Sequence, residues 1–120
     1  MSGMIGRLFN VVIDCPDPSA LARFYGELLG MPVVTERDDW VVISDGRYRI
    51  AFQPAPELRE PRWPDPERPQ QMHLDVMVDD IDTAEARAVA LGAKRLPGEG
   101  PDFRVFEDPA GHPFCLVFEI

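Results

Sequence analysis

A chain of 120 residues with 45% apolar and 28% charged content suffices for one compact domain, or for two small modules sharing a core. Its formal net charge of -9 disfavours nucleic acid and anionic membranes as partners, because a phosphate surface would repel it. Two cysteines far apart in sequence make no disulfide framework, and the apolar runs are strand-sized, too short to span a bilayer.

The start, MSGMIGRLFN, has one Arg and no apolar segment of secretory type, so a reducing cytoplasm is the expected compartment. Lys occurs once against 11 Arg, beside much Ala, Gly, Pro and Asp, a bias that suggests a GC-rich bacterial genome.

Residues 7–14 (RLFNVVID) read as a strand. Asp17-Pro18 then starts a helix: Asp accepts bonds from free N–H groups, and Pro suits the first helical position. Leu21, Phe24, Tyr25 and Leu28 form its apolar stripe, and Gly30 suits a left-handed cap. Strands are expected near 32–36, 39–44 and 47–53, with Asp45-Gly46 as the turn between the last two.

Residues 54–69 (PAPELREPRWPDPERP) hold six prolines and exclude a helix or a central strand. An extended connector is the simplest reading of this linker. Its one aromatic, Trp63, needs somewhere to pack and is a candidate lid or plug over a cleft. A second strand over 71–78 (QMHLDVMV) and a helix from 81 to 91, between Asp80 and Gly92, follow. Strands near 93–96, 102–107 and 113–119 end the chain, with a turn at Asp108-Pro109-Ala110-Gly111.

The order repeats. Asn10 and His73, and Asp17 and Asp80, are offset by 63 residues; Leu29-Gly30 and Leu91-Gly92 are offset by 62. The chain therefore reads as two β-α-β-β-β modules, about 5–53 and 71–120, joined by the linker 54–70 in one domain. Such a repeat makes a cleft between similar halves.

Three stretches carry a resemblance: DCPDPSALARFYGELLG (14–30), HLDVMVDDIDTAEARAVALGA (73–93) and DPAGHPFCLVF (108–118). Together they resemble the vicinal oxygen chelate superfamily, the glyoxalase / bleomycin-resistance / extradiol-dioxygenase fold, and within it the glyoxalase-like subgroup. The resemblance implies an α+β fold in which two βαβββ modules curl a mixed sheet around a small-molecule cavity. It implies a homodimer. It also implies four positions for a divalent metal, one on the first and one on the last strand of each module.

Those positions map here to Asn10, Gln53, His73 and Cys115. His73 alone is a routine ligand, since Asn and Gln offer weak neutral carbonyls. One His and one Cys make a poor zinc site unless a carboxylate joins them. Asp75 is a candidate, because it leaves the same face of its strand as His73. The metal set is thus degraded: no cofactor is expected, although a divalent metal stays open. His73 and Asp75 have two further readings, an acid–base pair and a polar pair that satisfies itself.

Parity places Arg49 and Gln53 on one face of their strand, where Arg49 either binds a ligand carboxylate or is a solvated strand-edge cation. Trp40 and Trp63 are candidates for stacking on a flat ligand. Cys115, in the apolar run PFCLVF, reads first as an inert buried thiol, and His112 as a surface turn residue. Cys15 is assigned no chemistry. The expected function is binding of a small molecule, with Asn10, Arg49, Gln53, Trp63 and Cys115 as ligand-binding candidates and His73 and Asp75 as catalytic ones. The alternatives are a metal-dependent lyase, isomerase or dioxygenase, a metal-free acid–base enzyme, and a domain whose cleft is filled by its own side chains.

Overall fold

The computed structural model describes residues 8–57, 59–68 and 72–118. Residues 7, 71 and 119, at the outer ends of three expected strands, lie outside them. The chain divides into two compact units, Met1–Pro56 and Glu57–Ile120. Most of the proline-rich linker therefore belongs to the second unit.

The first unit runs β1 (Val11–Cys15), α1 (Pro18–Leu29), β2 (Val33–Arg37), β3 (Trp40–Ser44) and β4 (Arg49–Pro54). Its sheet has the order β1-β4-β3-β2, with β1 parallel to β4 and the other pairs antiparallel. The second unit repeats the plan with β5 (Leu74–Met77), α2 (Ile81–Leu91), β6 (Lys94–Gly100), β7 (Phe103–Glu107) and β8 (Pro113–Val117). Its order is β5-β8-β7-β6, again with one parallel pair, β5 with β8. The protein is therefore α+β, built of two βαβββ modules, each with its own four-stranded mixed sheet. No helix among the described residues is long and apolar enough to cross a membrane.

Both helices start and stop where the residues require. Asp17 accepts a bond from the Ala20 N–H, and Asp80 accepts from those of Asp82 and Thr83. These N–H groups and the Thr83 hydroxyl hold the Asp80 carboxyl below its ordinary pKa. Gly30 and Gly92 take the left-handed conformation just past each helix, at φ 69° and 115°.

The two helices are held differently. The α1 stripe buries Leu21, Phe24 and Tyr25 on the sheet, where the Tyr25 and Phe52 rings stack at 5.9 Å. The α2 sequence IDTAEARAVAL is rich in alanine, and Ala88 is its one buried residue. Ion pairs supplement that thin contact: Glu85 bonds Arg95 at 2.8 Å and Arg104 at 2.9 Å, and Asp82 meets Arg104 at 3.2 Å. Within the second sheet the Phe106 and Phe114 rings stack at 5.7 Å.

The linker folds rather than extends. Backbone bonds from Arg62 to the Arg68 carbonyl and from Asp65 to the Arg62 carbonyl close it into a loop.

Candidate functional site

In the second unit, the parallel register sets Asp75 directly opposite Cys115. Side chains of directly paired residues leave the same face of a sheet. His73, two residues before Asp75, joins that face just ahead of β5. One donor atom from each of His73, Asp75 and Cys115 lies within 4.8 Å of the other two. Among the described residues this is the one such trio of His, Cys, Asp or Glu.

The opposite face packs inward. Phe114 and Leu116, which alternate with Cys115, are fully buried. A one-residue slip of β8 would exchange the two sets, so burial of Phe114 and Leu116 sets the register that presents Cys115.

Next to the trio the face turns apolar. Val105 pairs with Cys115 across β7 and β8. A Cβ built on Gly98 would come within 3.6 Å of Val105 and within 3.5 Å of the Trp63 indole nitrogen, so Trp63 borders the same face. The Trp63 indole N–H donates to the Pro97 carbonyl at 2.8 Å, which pins the ring to β6. The linker aromatic thus packs on its own unit's sheet, and its polar atom is already used.

The His73–Asp75 separation discriminates between readings. Nε2 lies 3.6 Å from Oδ1, which is ion-pair range but too long for a hydrogen bond. The side chains are 42% and 61% exposed, so their attraction is weak and screened. In this arrangement Asp75 makes no hydrogen bond to the imidazole.

Cys115 is largely buried beside the Asp75 carboxylate. Burial pushes its pKa up, and the negative charge of Asp75 and a hydrogen bond to it push in the same direction. The thiol therefore stays protonated to higher pH than a free cysteine. Slow alkylation at neutral pH is expected, with a rate that rises only above the ordinary thiol range. Asp75→Asn removes the charge, lowers the pKa and accelerates labelling, while the fully buried Cys15 reacts only on unfolding. Mass-resolved iodoacetamide kinetics check this; an Asn variant that labels no faster would remove Asp75 as a cause.

The first unit does not repeat this chemistry. The Asp75–Cys115 pair corresponds in register to Val12 opposite Ala51. Gln53 lies two residues beyond Ala51, so the residue equivalent to Cys115 is an alanine with no donor. The Asn10 Oδ1 accepts from Arg49 Nε at 2.9 Å, and the guanidinium lies 4.3 Å above the Phe9 ring. A cation at Asn10 would face that guanidinium, so Asn10 does not fit a metal. Arg49 is half-buried on β4, an interior strand, and not a solvated strand-edge cation. Cys15 is buried, with its thiol toward the Gln53 carbonyl at 3.8 Å. Trp40 is half-buried at the start of β3.

His112 is corrected. It is largely buried, with Nδ1 3.0 Å from the carboxylate of Asp108, which is itself buried. A His in a turn reads as exposed until its partner four residues back is known to be inside. The D-x-x-x-H spacing was the available signal.

In the first unit neither Asn10, already bonded to Arg49, nor Ala51, the register equivalent of Cys115, fits an ion. The imidazole, carboxylate and thiol of the second unit do fit one chemically.

The sequence model of the glyoxalase-like domain matches residues 10–117. No curated protein matches the sequence. Similar solved structures include a glyoxalase-related enzyme from Fulvimarina pelagi, at 20% identity and TM-score 0.70 over 96% of this chain and 89% of that one. The fosfomycin resistance protein FosX from Mesorhizobium loti shows 20% identity and TM-score 0.70 over 95% and 92%. A glyoxalase/bleomycin resistance protein/dioxygenase family enzyme from Burkholderia phytofirmans shows 19% and 0.72 over 92% and 97%. At these identities the likeness is one of fold. Since the sequence match runs from the residue before β1 to the last residue of β8, the chain belongs to the glyoxalase-like domain family.

Proposed function

We propose that this chain is a small-molecule-binding protein whose ligand lies on the face of the second sheet that carries His73, Asp75 and Cys115. The observation behind the reading is the convergence of those three polar groups within 4.8 Å, beside an apolar border of Val105 and Trp63. A few placed polar groups next to apolar and aromatic surface is the usual composition of a ligand site. One similar structure is a fosfomycin resistance protein, which agrees with a role toward small molecules. Metal-free acid–base catalysis by His73 and Asp75 has less support, because 3.6 Å leaves the pair without a hydrogen bond.

Native mass spectrometry of protein purified in chelator tests the proposal. A bound mass that is lost on unfolding, and is absent from a folded His73→Ala variant, is the expected result. No bound mass, together with no thermal stabilisation by any of a panel of small organic acids and phenols, would sink it.

A further inference from the structure

We infer that Arg49, with Asn10 and Ser44 beside it, anchors a second ligand site, on the first sheet, for a monocarboxylate with an apolar or aromatic body. The inference goes beyond the reading above, since none of its residues belongs to the second unit.

The site lies on the face of the first sheet turned away from α1. Phe52, which stacks with Tyr25 of α1, marks the other face, and Arg49 and Ala51 alternate with Ile50 and Phe52 along β4. Ser44 is the direct partner of Arg49 on β3, so both side chains leave the same face. Asn10 joins them through its bond to Arg49 at 2.9 Å, and Val12, two residues on, is exposed.

The guanidinium is held but not neutralised. Its Nε is used by Asn10, and the Phe9 ring covers one face at 4.3 Å, which leaves the end-on fork of the two terminal amino groups. That fork meets no carboxylate among the described residues. Arg104, also half-buried, shows the contrast, since it bonds both Glu85 and Asp82. In a chain with 21 acidic residues and a net charge of -9, a half-buried cation without a carboxylate is costly until a ligand supplies the charge. Ser44 adds a second donor. It is 7% exposed, and its Oγ accepts from the Gly46 N–H at 3.0 Å, which leaves its O–H to donate.

The chemistry of the ligand follows from these groups. An end-on guanidinium fork matches the two oxygens of one carboxylate. One cation balances one negative charge. Asp14, opposite Gln53 and about 13 Å further along the sheet than Arg49, would repel a second. The exposed Phe9 ring and Val12 give an apolar or aromatic body a surface beside the carboxylate.

Titration of the full chain with benzoate, phenylacetate and hexanoate, followed by amide and arginine side-chain NMR, tests the inference. Saturable shifts are expected at Phe9, Asn10, Val12 and Ser44 and in the Arg49 Nε–H signal. Benzyl alcohol, the neutral analogue of benzoate, should give none. Arg49→Gln should weaken benzoate binding by at least about tenfold, and Arg49→Lys, which keeps the charge without the fork, by about fivefold. Asn10→Asp supplies a carboxylate from within the chain and should also cost about tenfold. Arg23→Gln removes the same charge from an exposed position of α1 and should change affinity less than about twofold. Should Arg49→Gln fail to fold, Arg49→Lys and Asn10→Asp carry the same comparison. Native-like affinity in folded Arg49 and Asn10 variants would overturn the site, as would the absence of saturable binding by all three acids. Shifts confined to Leu74–Met77 and Pro113–Val117 would overturn it too, while leaving the reading of the second sheet in place. Inorganic phosphate binding as tightly as benzoate would overturn the assignment to a carboxylate.

Discussion

Phe52→Ala is expected to cost about 3–5 kcal/mol of stability, which is a large part of what a domain of this size possesses. Phe52 is fully buried at the centre of the first unit. Its strand β4 is flanked by β1 and β3, so the ring is enclosed by Ile13 and Val41 on its paired neighbours and by Tyr25 from α1. Truncation removes apolar burial and also leaves a cavity that two hydrogen-bonded neighbours prevent from collapsing. Phe52→Leu retains most of the volume and should lose much less. Urea unfolding followed by circular dichroism checks both variants. A loss under about 1 kcal/mol for the alanine variant would mean that the first unit relaxes around the missing ring.

The second large effect is expected at the turn before β8. Asp108 is 2% exposed. Its carboxylate accepts from the N–H groups of Ala110 and His112 at 2.8 and 3.0 Å and lies 3.0 Å from the His112 ring. Asp108→Ala leaves these groups without that acceptor and should cost on the order of 3 kcal/mol. Asn keeps one oxygen for the backbone N–H groups, and its loss should be on the order of 1–2 kcal/mol. Gly111 closes the same turn at φ 95° with the Glu60 side chain packed against its Cα, so no side chain can replace it easily. The effect extends to function, because β8 begins two residues later and carries Cys115. Asp108→Ala should therefore also blur the labelling difference between Cys115 and Cys15 well below the unfolding midpoint. Equal stability of the Ala and Asn variants would show that the carboxylate is not what holds the turn.

Most element boundaries were legible because local chemistry sets them. Asp17-Pro18 and Asp80 start helices wherever they meet an apolar helical pattern, and Gly30 and Gly92 end them. Asp45-Gly46 makes a turn, with the Asp45 carboxylate held below its ordinary pKa by the N–H groups of Tyr48 and Arg47. Strand ends were less legible. The first strand starts at Val11 rather than 7, and β6 runs on to Gly100, because pairing with a neighbour decides where a ladder begins and ends.

The candidate site was legible as a pair and not as a trio. Period-two alternation alone puts His73 and Asp75 on one face. Nothing in PFCLVF says that Cys115 will stand opposite Asp75, since that depends on the parallel register between segments 40 residues apart. The partners of Arg49 and Trp63 were hidden for the same reason. Arg49 bonds Asn10 across 39 residues, and Trp63 bonds Pro97 across 34.

The sequence by itself determined the two βαβββ modules, their caps and turns and the family, because these follow from short-range patterns that each residue carries with it. Tertiary structure alone decided which donors meet. It brought Cys115 to His73 and Asp75, left Ala51 at the matching place in the first unit, and assigned the linker's Trp63 to the second sheet. Strand register does this, because a shift of one residue exchanges the buried face for the exposed one, and only the packing of Phe114 and Leu116 selects between them.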